Sequence, residues 1–295
     1  MLTLEASKPY RFVVVLFAAG AIADLSSAAS ALASPRTDRA VFTMMRAPQE
    51  SALRIFRGPD GGQPTASLIA DAAGNLYGTA ISGGRRNAGV VFELSPRASG
   101  WKETVLYSFS GFKDGNSPFA GLTMDSAGNL YGTTSTGGDP NCTASTGACG
   151  VVFELHRSGS KWTETVLHAF HGPDGAYPVS GVTLDNAGDV FGATQQGGGT
   201  TYCGGGCGVV YELVPRRNGK WAESVLHIFK PFQPPDGQFP ESRVIFDAKG
   251  NLFGTTFDGA GPTSSGCVYE LVPTGSGKWK ESIIHEFNPE ETGDG

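Results

Sequence analysis

The sequence predicts an all-β, β-propeller-like tandem repeat: four units of about 60 residues, each with four antiparallel strands. Three sequence markers recur in one phase along the chain. Between them lie short apolar runs with no helical periodicity. Glycine and proline, 43 and 18 of the 295 residues, punctuate those runs while only 17% of residues are charged. Many short strands joined by tight turns produce this profile.

The first 33 residues stand apart from the repeat. Lys8 and Arg11 precede an apolar run from Phe12 to Ala23, followed by small residues ending in Ala31-Leu32-Ala33. That is the layout of an export signal cleaved before Ser34. The run is shorter than the roughly 20 residues that span a bilayer, and no other segment is apolar enough to do so. The expected organisation is therefore a signal peptide at 1–33, a linker at 34–52 and a repeat domain at 53–295. The units fall at approximately 57–109, 110–170, 171–229 and 230–287, and a further unit begins at 288–295.

The first marker is Asn75-Leu76-Tyr77-Gly78, which returns as Asn129-Leu130-Tyr131-Gly132, Asp189-Val190-Phe191-Gly192 and Asn251-Leu252-Phe253-Gly254. The second is Phe92-Glu93-Leu94, matched by Phe153-Glu154-Leu155, Tyr211-Glu212-Leu213 and Tyr269-Glu270-Leu271. The third is tryptophan: Trp101, Trp162, Trp221 and Trp279 follow one another at steps of 61, 59 and 58 residues. Such self-similarity marks repeat architectures.

Within the second unit the strands read as A (Gly121–Asp125), B (Asn129–Thr134), C (Gly150–Leu155) and D (Trp162–Phe170). The A–B link, Asp125-Ser126-Ala127-Gly128-Asn129, is a hairpin signal: Asp accepts hydrogen bonds from its own turn and Gly supplies positive φ. Strand C is a continuous apolar run, as expected of a strand buried on both faces. Strand D alternates, with Val166, His168 and Phe170 on one face and Thr165, Leu167 and Ala169 on the other. Tandem four-stranded meanders form propeller blades; the competing β-solenoid uses shorter repeats.

The combined D-x-x-G-N-L-Y-G-T-T, G-V-V-F-E-L and W-x-E-x-V-L-x-x-F…D-G-x-x-P runs resemble the repeat of the bacterial choice-of-anchor tandem repeat GloVer-containing family (Gloeo/Verruco repeat). The resemblance covers roughly residues 53–295. It implies an exported bacterial protein, periplasmic, extracellular or at the cell surface, propeller-like and of uncharacterised activity. Members often end in an anchoring segment; this chain ends at Gly295 without an apolar tail, a departure from that pattern. At the other end Leu53-Arg54-Ile55-Phe56 matches the end of a strand D. Three outcomes are open for the surplus strand: four blades that close with it as an added edge, copies that self-associate through the open edges of an arc, or a shortened form of a longer propeller.

In a meander blade the B–C and D–A loops share one face. The B–C loops, 81–88, 135–149, 195–207 and 257–265, differ most between units, and variable loops on a rigid scaffold are where binding evolves. The D–A loops carry Asp60, Asp114, Asp174 and Asp236, the candidate binding residues. Cys142 with Cys149 and Cys203 with Cys207 share loops and are candidate disulfides. Cys267 aligns with Val151 and Val209 and is expected to be a buried thiol. His168, His227 and His285 share one position with Tyr107; on an outermost strand they would lie far apart, and packing between blades is expected rather than metal ligation. Glu93, Glu154, Glu212 and Glu270, like Glu103, Glu164, Glu223 and Glu281, recur in every unit and read as structural.

No cofactor is expected: the D–A aspartates could meet calcium but each loop offers too few oxygens alone, and a metal at the paired cysteines is the alternative to disulfides, weakened because C-x-x-x-C has no histidine cluster nearby. A net charge of −6 without a basic stripe argues against nucleic acid. Hydrolase, nucleotide and metalloprotease motifs are missing. The expected function is a non-catalytic exported scaffold binding a carbohydrate or protein through the B–C/D–A face. The alternatives are a polysaccharide-active hydrolase or lyase and a structural surface protein or propeller fragment.

Overall fold

The computed structural model describes residues 52–144, 149–159, 161–199, 202–230, 236–259 and 265–287. The expected signal peptide (1–33), nearly all of the linker (34–52) and the start of a further unit (288–295) lie outside them. Among the described residues every regular element is a strand apart from one short 3-10 turn, and each unit forms its own antiparallel sheet.

The first sheet comprises β1 (Ile69–Ala70), β2 (Leu76–Ala80), β3 (Val90–Arg97) and β4 (Gly100–Ser108). The second comprises β5 (Thr123–Met124), β6 (Leu130–Thr134), β7 (Val151–Ser158) and β8 (Lys161–Ala169). The third comprises β9 (Thr183–Leu184), β10 (Val190–Thr194), β11 (Val209–Pro215) and β12 (Trp221–Ile228). The fourth has five strands: β13 (Gln238–Pro240), β14 (Ile245–Phe246), β15 (Leu252–Asp258), β16 (Cys267–Gly275) and β17 (Lys278–Glu286). The extra strand β13 is the D–A loop paired along β15. The other units make the same contact as single bridges: Gly62 with Ser82, Asn116 with Thr136 and Ala176 with Gln196. Four sheets in A–B–C–D order match the expectation, although strand A shrinks to two paired residues per unit.

The A–B hairpins close as the sequence implies. Asp125 Oδ1 accepts the N–H groups of Ala127 and Asn129, each at 2.9 Å, while Oδ2 accepts Asn129 Nδ2 at 2.8 Å. Asp71 and Asp247 repeat all three bonds.

Strand C is buried on both faces. Val151, Phe153 and Leu155 pack with Tyr77, Val91 and Phe109 of the first unit, whereas Val152 turns toward Val209, Tyr211 and Leu213 of the third. Consecutive sheets are joined by one repeated aromatic contact. The phenylalanine ending strand D stacks on the strand-C aromatic of the next unit: Phe109 on Phe153, Phe170 on Tyr211 and Phe229 on Tyr269, each with centroids 5.1 Å apart. Phe56 stands in the same relation to Phe92, so the surplus segment at 53–56 serves the first sheet as a preceding blade would. The glycine of the N-L-Y-G marker makes room for this aromatic: a Cβ on Gly132 would lie 2.7 Å from Phe153 Cζ.

Strand D departs from simple alternation. Val152 pairs with His168 but Phe153 with Val166, so Leu167 is an extra residue in a bulge that recurs at the same place in all four sheets. Cross-strand partners share a face, so the bulge puts Val166 and His168 on opposite faces rather than on one. Val166 faces the first unit and Phe170 the third.

The short A strands come close to one another. Arg243, just before β14, donates to Leu122 O of the second unit at 3.0 Å, and a Cβ on Gly181 of the third unit would sit 2.7 Å from its Nη2. Ser67, Gly121, Gly181 and Arg243 hold one equivalent position; the small residues leave space that the arginine crosses. No helix among the described residues is long and apolar enough to cross a membrane.

Candidate functional site: the B–C/D–A loop face

Each D–A loop contains D-G-x-x-P, and each candidate aspartate closes its own loop. Asp60, Asp114, Asp174 and Asp236 accept the backbone N–H of Arg57, Ser110, His171 and Lys230 at 2.7, 2.7, 2.8 and 2.9 Å. Each also meets a side chain from the preceding strand-D position. Arg54 bonds Asp60, Tyr107 OH donates to Asp114 at 3.1 Å, and His168 and His227 place Nε2 2.9 and 2.7 Å from Asp174 and Asp236. The recurring feature is thus a polar nitrogen or hydroxyl facing a loop carboxylate. This accounts for Arg, Tyr and His sharing a position that ring size alone does not explain. Among the described residues the four aspartates do not gather into one metal-ligand group.

The expected isolation of the strand-D side chains needs correction. Consecutive D strands touch, β4 with β8, β8 with β12 and β12 with β17. Each loop aspartate therefore lies beside the strand-D glutamate of the next unit. Burial, then the Asp114 charge, pushes the Glu164 carboxyl up to about 7. Glu281 is likewise pushed to about 7 by burial and Asp236, with His227 opposing. One oxygen of each of Glu103, Glu164, Glu223 and Glu281 is buried without a hydrogen-bond partner.

After each aspartate the chain enters an uncommon conformation. Gln63, Ser117, Tyr177 and Phe239 hold φ of 57 to 58°, and each directly precedes proline. The left-handed region costs a non-glycine residue about 1–2 kcal/mol. The surroundings enforce it through a stitch of backbone bonds. The N–H of Ser117, Tyr177 and Phe239 donates to the carbonyls of Ala88, Cys149 and Cys207, at 2.9, 3.0 and 2.8 Å. The Ser117 and Tyr177 carbonyls accept from Ser135 and Gln195 at 3.0 and 3.1 Å. The D–A loop is thus sewn to the B–C loop of the unit it leaves and to the first residue of the B–C loop of the unit it joins. The side chains at these four places, Gln, Ser, Tyr and Phe, differ from unit to unit. Sequence reasoning missed them; the invariant Asp-Gly and Pro around a variable residue were the available signal.

Both expected disulfides form, Cys142–Cys149 and Cys203–Cys207, with Cα atoms 5.7 and 5.3 Å apart. Cys149 and Cys207 are the residues whose carbonyls hold Tyr177 and Phe239, so each bridge pins a loop at its stitch. Cys267 is a buried thiol, as expected.

Between the D–A loop of residues 111–116 and the B–C loop of residues 136–140 runs a groove of about 780 Å³. Phe112, 63% exposed, lines it with Lys113, Asn116, Thr136 and Asp139. The Arg86 guanidinium lies 5.2 Å from the Phe112 ring centroid. The tryptophans sit at the start of strand D, at the other end of the sheets, half-buried as packing anchors.

A tandem array of antiparallel sheets, with pinned and variable loops at one end of each, defines an all-β repeat protein. The chain belongs to the Gloeobacter/Verrucomicrobia repeat family, which matches residues 26–220. No curated protein matches it. Among solved structures, a protein of unknown function from Dyadobacter fermentans is 14% identical, over 77% of this chain and 70% of that one, with TM-score 0.48. An endo-arabinase from Bacteroides thetaiotaomicron is 12% identical over 78% and 82%, with TM-score 0.43. A GH43_12 from a capybara gut metagenome is 13% identical over 77% of this chain but only 43% of its own, with TM-score 0.43. At these values the likenesses carry nothing about activity.

Proposed function

We propose that the protein is an exported, propeller-like scaffold that binds an extracellular carbohydrate through its B–C/D–A face. The observation that carries this reading is the set of left-handed residues before proline, repeated at Gln63, Ser117, Tyr177 and Phe239. Backbone strain that recurs where side chains vary is a means of presenting those side chains rigidly. The adjoining groove supports a carbohydrate: an exposed ring offers a stacking face, and amide, hydroxyl and carboxylate groups surround it. Two disulfides in the same loops suit an oxidising compartment, in keeping with a cleaved signal at 1–33. Arg243, reaching from the fourth unit to the second across the third, supports an arrangement of the sheets about a common axis.

The test is binding of the chain to an immobilised panel of cell-wall and plant oligosaccharides, repeated with Tyr177→Gly and Phe239→Gly. Glycine adopts the left-handed region freely, so both variants should keep their stability within about 1 kcal/mol of the parent. Binding of one sugar class that weakens at least tenfold in a stable variant is the expected result. Undiminished binding in both variants would remove the face from the account.

A further inference from the structure

One seam between units breaks the repeat in a chemically specific way. The residue after the strand-D phenylalanine is Arg57, Ser110 and Lys230 at three seams, but His171 between the second and third units. There two imidazoles meet one carboxylate. His168 Nε2 is 2.9 Å and His171 Nδ1 3.2 Å from Asp174 Oδ2, and all three atoms lie within 4.8 Å of one another. We propose that His168, His171 and Asp174 bind one divalent transition-metal ion of zinc-like preference.

Zinc takes imidazole nitrogen and carboxylate oxygen at about 2.0–2.2 Å, which puts two ligands of a tetrahedral ion roughly 3.3 Å apart. The two nitrogen–oxygen separations already match that spacing. The ligands are also held in place before any ion arrives. Asp174 Oδ1 accepts the N–H groups of His171 and Gly172, at 2.8 and 3.1 Å, which leaves Oδ2 turned toward the rings. The His171 carbonyl accepts both the N–H and the hydroxyl of Thr143, at 2.9 and 2.8 Å. Thr143 follows Cys142 of the Cys142–Cys149 bridge, so the disulfide-closed B–C loop clamps the backbone that carries the ligand.

The far side of His171 is oriented as well. Its Nε2 lies 3.5 Å from Asp139 Oδ2, while Asp139 Oδ1 accepts the Asn141 N–H at 3.0 Å. A carboxylate behind a ligating histidine fixes the ring and raises its basicity, the usual support of a metal-bound imidazole. His171 is 59% exposed, which gives an ion a path in and leaves coordination positions for water. The His227–Asp236 pair is a built-in comparison, because there Lys230 replaces the third ligand with a cation. Asp139 also lines the groove of the proposed sugar site, but the metal site does not depend on that reading.

The experiment is titration of chelator-treated chain with Zn²⁺ by calorimetry and with Co²⁺ by visible absorption. One equivalent per chain, with the intense visible band of cobalt bound with few ligands, is expected. His171→Asn should weaken binding at least 100-fold, Asp139→Asn about 10- to 100-fold, and His227→Gln should leave it unchanged. Melting of each variant in chelator separates lost ligation from lost folding; should His171→Asn prove unstable, Asp139→Asn decides. Absence of saturable one-to-one binding, parental affinity in a stable His171→Asn, or loss in a stable His227→Gln would overturn the site.

Discussion

Single residues in this repeat are informative because each has three counterparts. Tyr211 and Tyr269 are fully buried, and their hydroxyls have no hydrogen-bond partner. The first two units place Phe92 and Phe153 at the same point. A buried unpaired hydroxyl costs about 1–3 kcal/mol, so Tyr211→Phe and Tyr269→Phe should each stabilise the chain by about 1 kcal/mol, read as a higher urea midpoint. The strand-D glutamates make a second prediction. Glu164 and Glu281 are raised from an ordinary 4.5 to about 7, chiefly by burial and then by a neighbouring aspartate. The folded state holds those protons more tightly than the unfolded one. Their contribution to stability is therefore complete below about 4.5 and is lost as pH rises through about 7. Melting temperature should fall across that interval and level off above it. Glu164→Gln and Glu281→Gln, uncharged at every pH, should flatten the fall and melt above the parent at pH 8; a fall as steep as the parent's in the double variant would refute this assignment.

At the scale of elements, the sequence was most legible where a local rule decides the outcome. The Asp-x-x-Gly-Asn hairpins closed as their chemistry requires, and G-V-V-F-E-L became a strand buried on both faces because no other environment suits a continuous apolar run. The strand-D bulge was invisible: Leu167 is as apolar as an alternating strand demands, and only pairing with β7 reveals the extra residue. His168 and Asp174 lie six positions apart, and nothing local in the sequence says that the bulge turns one onto the other. His171 could have been found by asking which repeat position varies in chemistry rather than which is shared. Gly132 tests the element directly. A methyl there would strike Phe153, and overpacking of this kind costs about 1–3 kcal/mol; Gly132→Ala should lower the urea midpoint accordingly. Removing a B–C disulfide by Cys142→Ser with Cys149→Ser should cost about 2–3 kcal/mol at most, because the closed loop is short.

For the whole molecule, the features that repeat unchanged and those that vary from unit to unit occupy different ends of the sheets. The tryptophans and A–B hairpins hold one end with interactions that scarcely vary. The other end carries the left-handed residues, both disulfides, the groove and the two-histidine seam. Arg243 connects units distant in sequence, and hydrogen bonds to a charged group contribute about 1.5–3 kcal/mol. Arg243→Ala should destabilise the chain by a comparable amount in equilibrium unfolding, whereas an exposed-loop substitution such as Lys113→Ala should leave stability within about 0.5 kcal/mol. Recognition, as proposed, belongs to the B–C/D–A end. Hydrogen–deuterium exchange tests it most directly, comparing the free chain with the chain saturated by the oligosaccharide that most raises its melting temperature. Protection confined to residues 110–118, 134–144 and the backbone around Tyr177 and Phe239, with the Asp71, Asp125 and Asp247 hairpins unchanged, is the expected result. Protection at those hairpins or at the tryptophan end, or a panel in which no oligosaccharide raises the melting temperature, would rule out carbohydrate recognition at the B–C/D–A end.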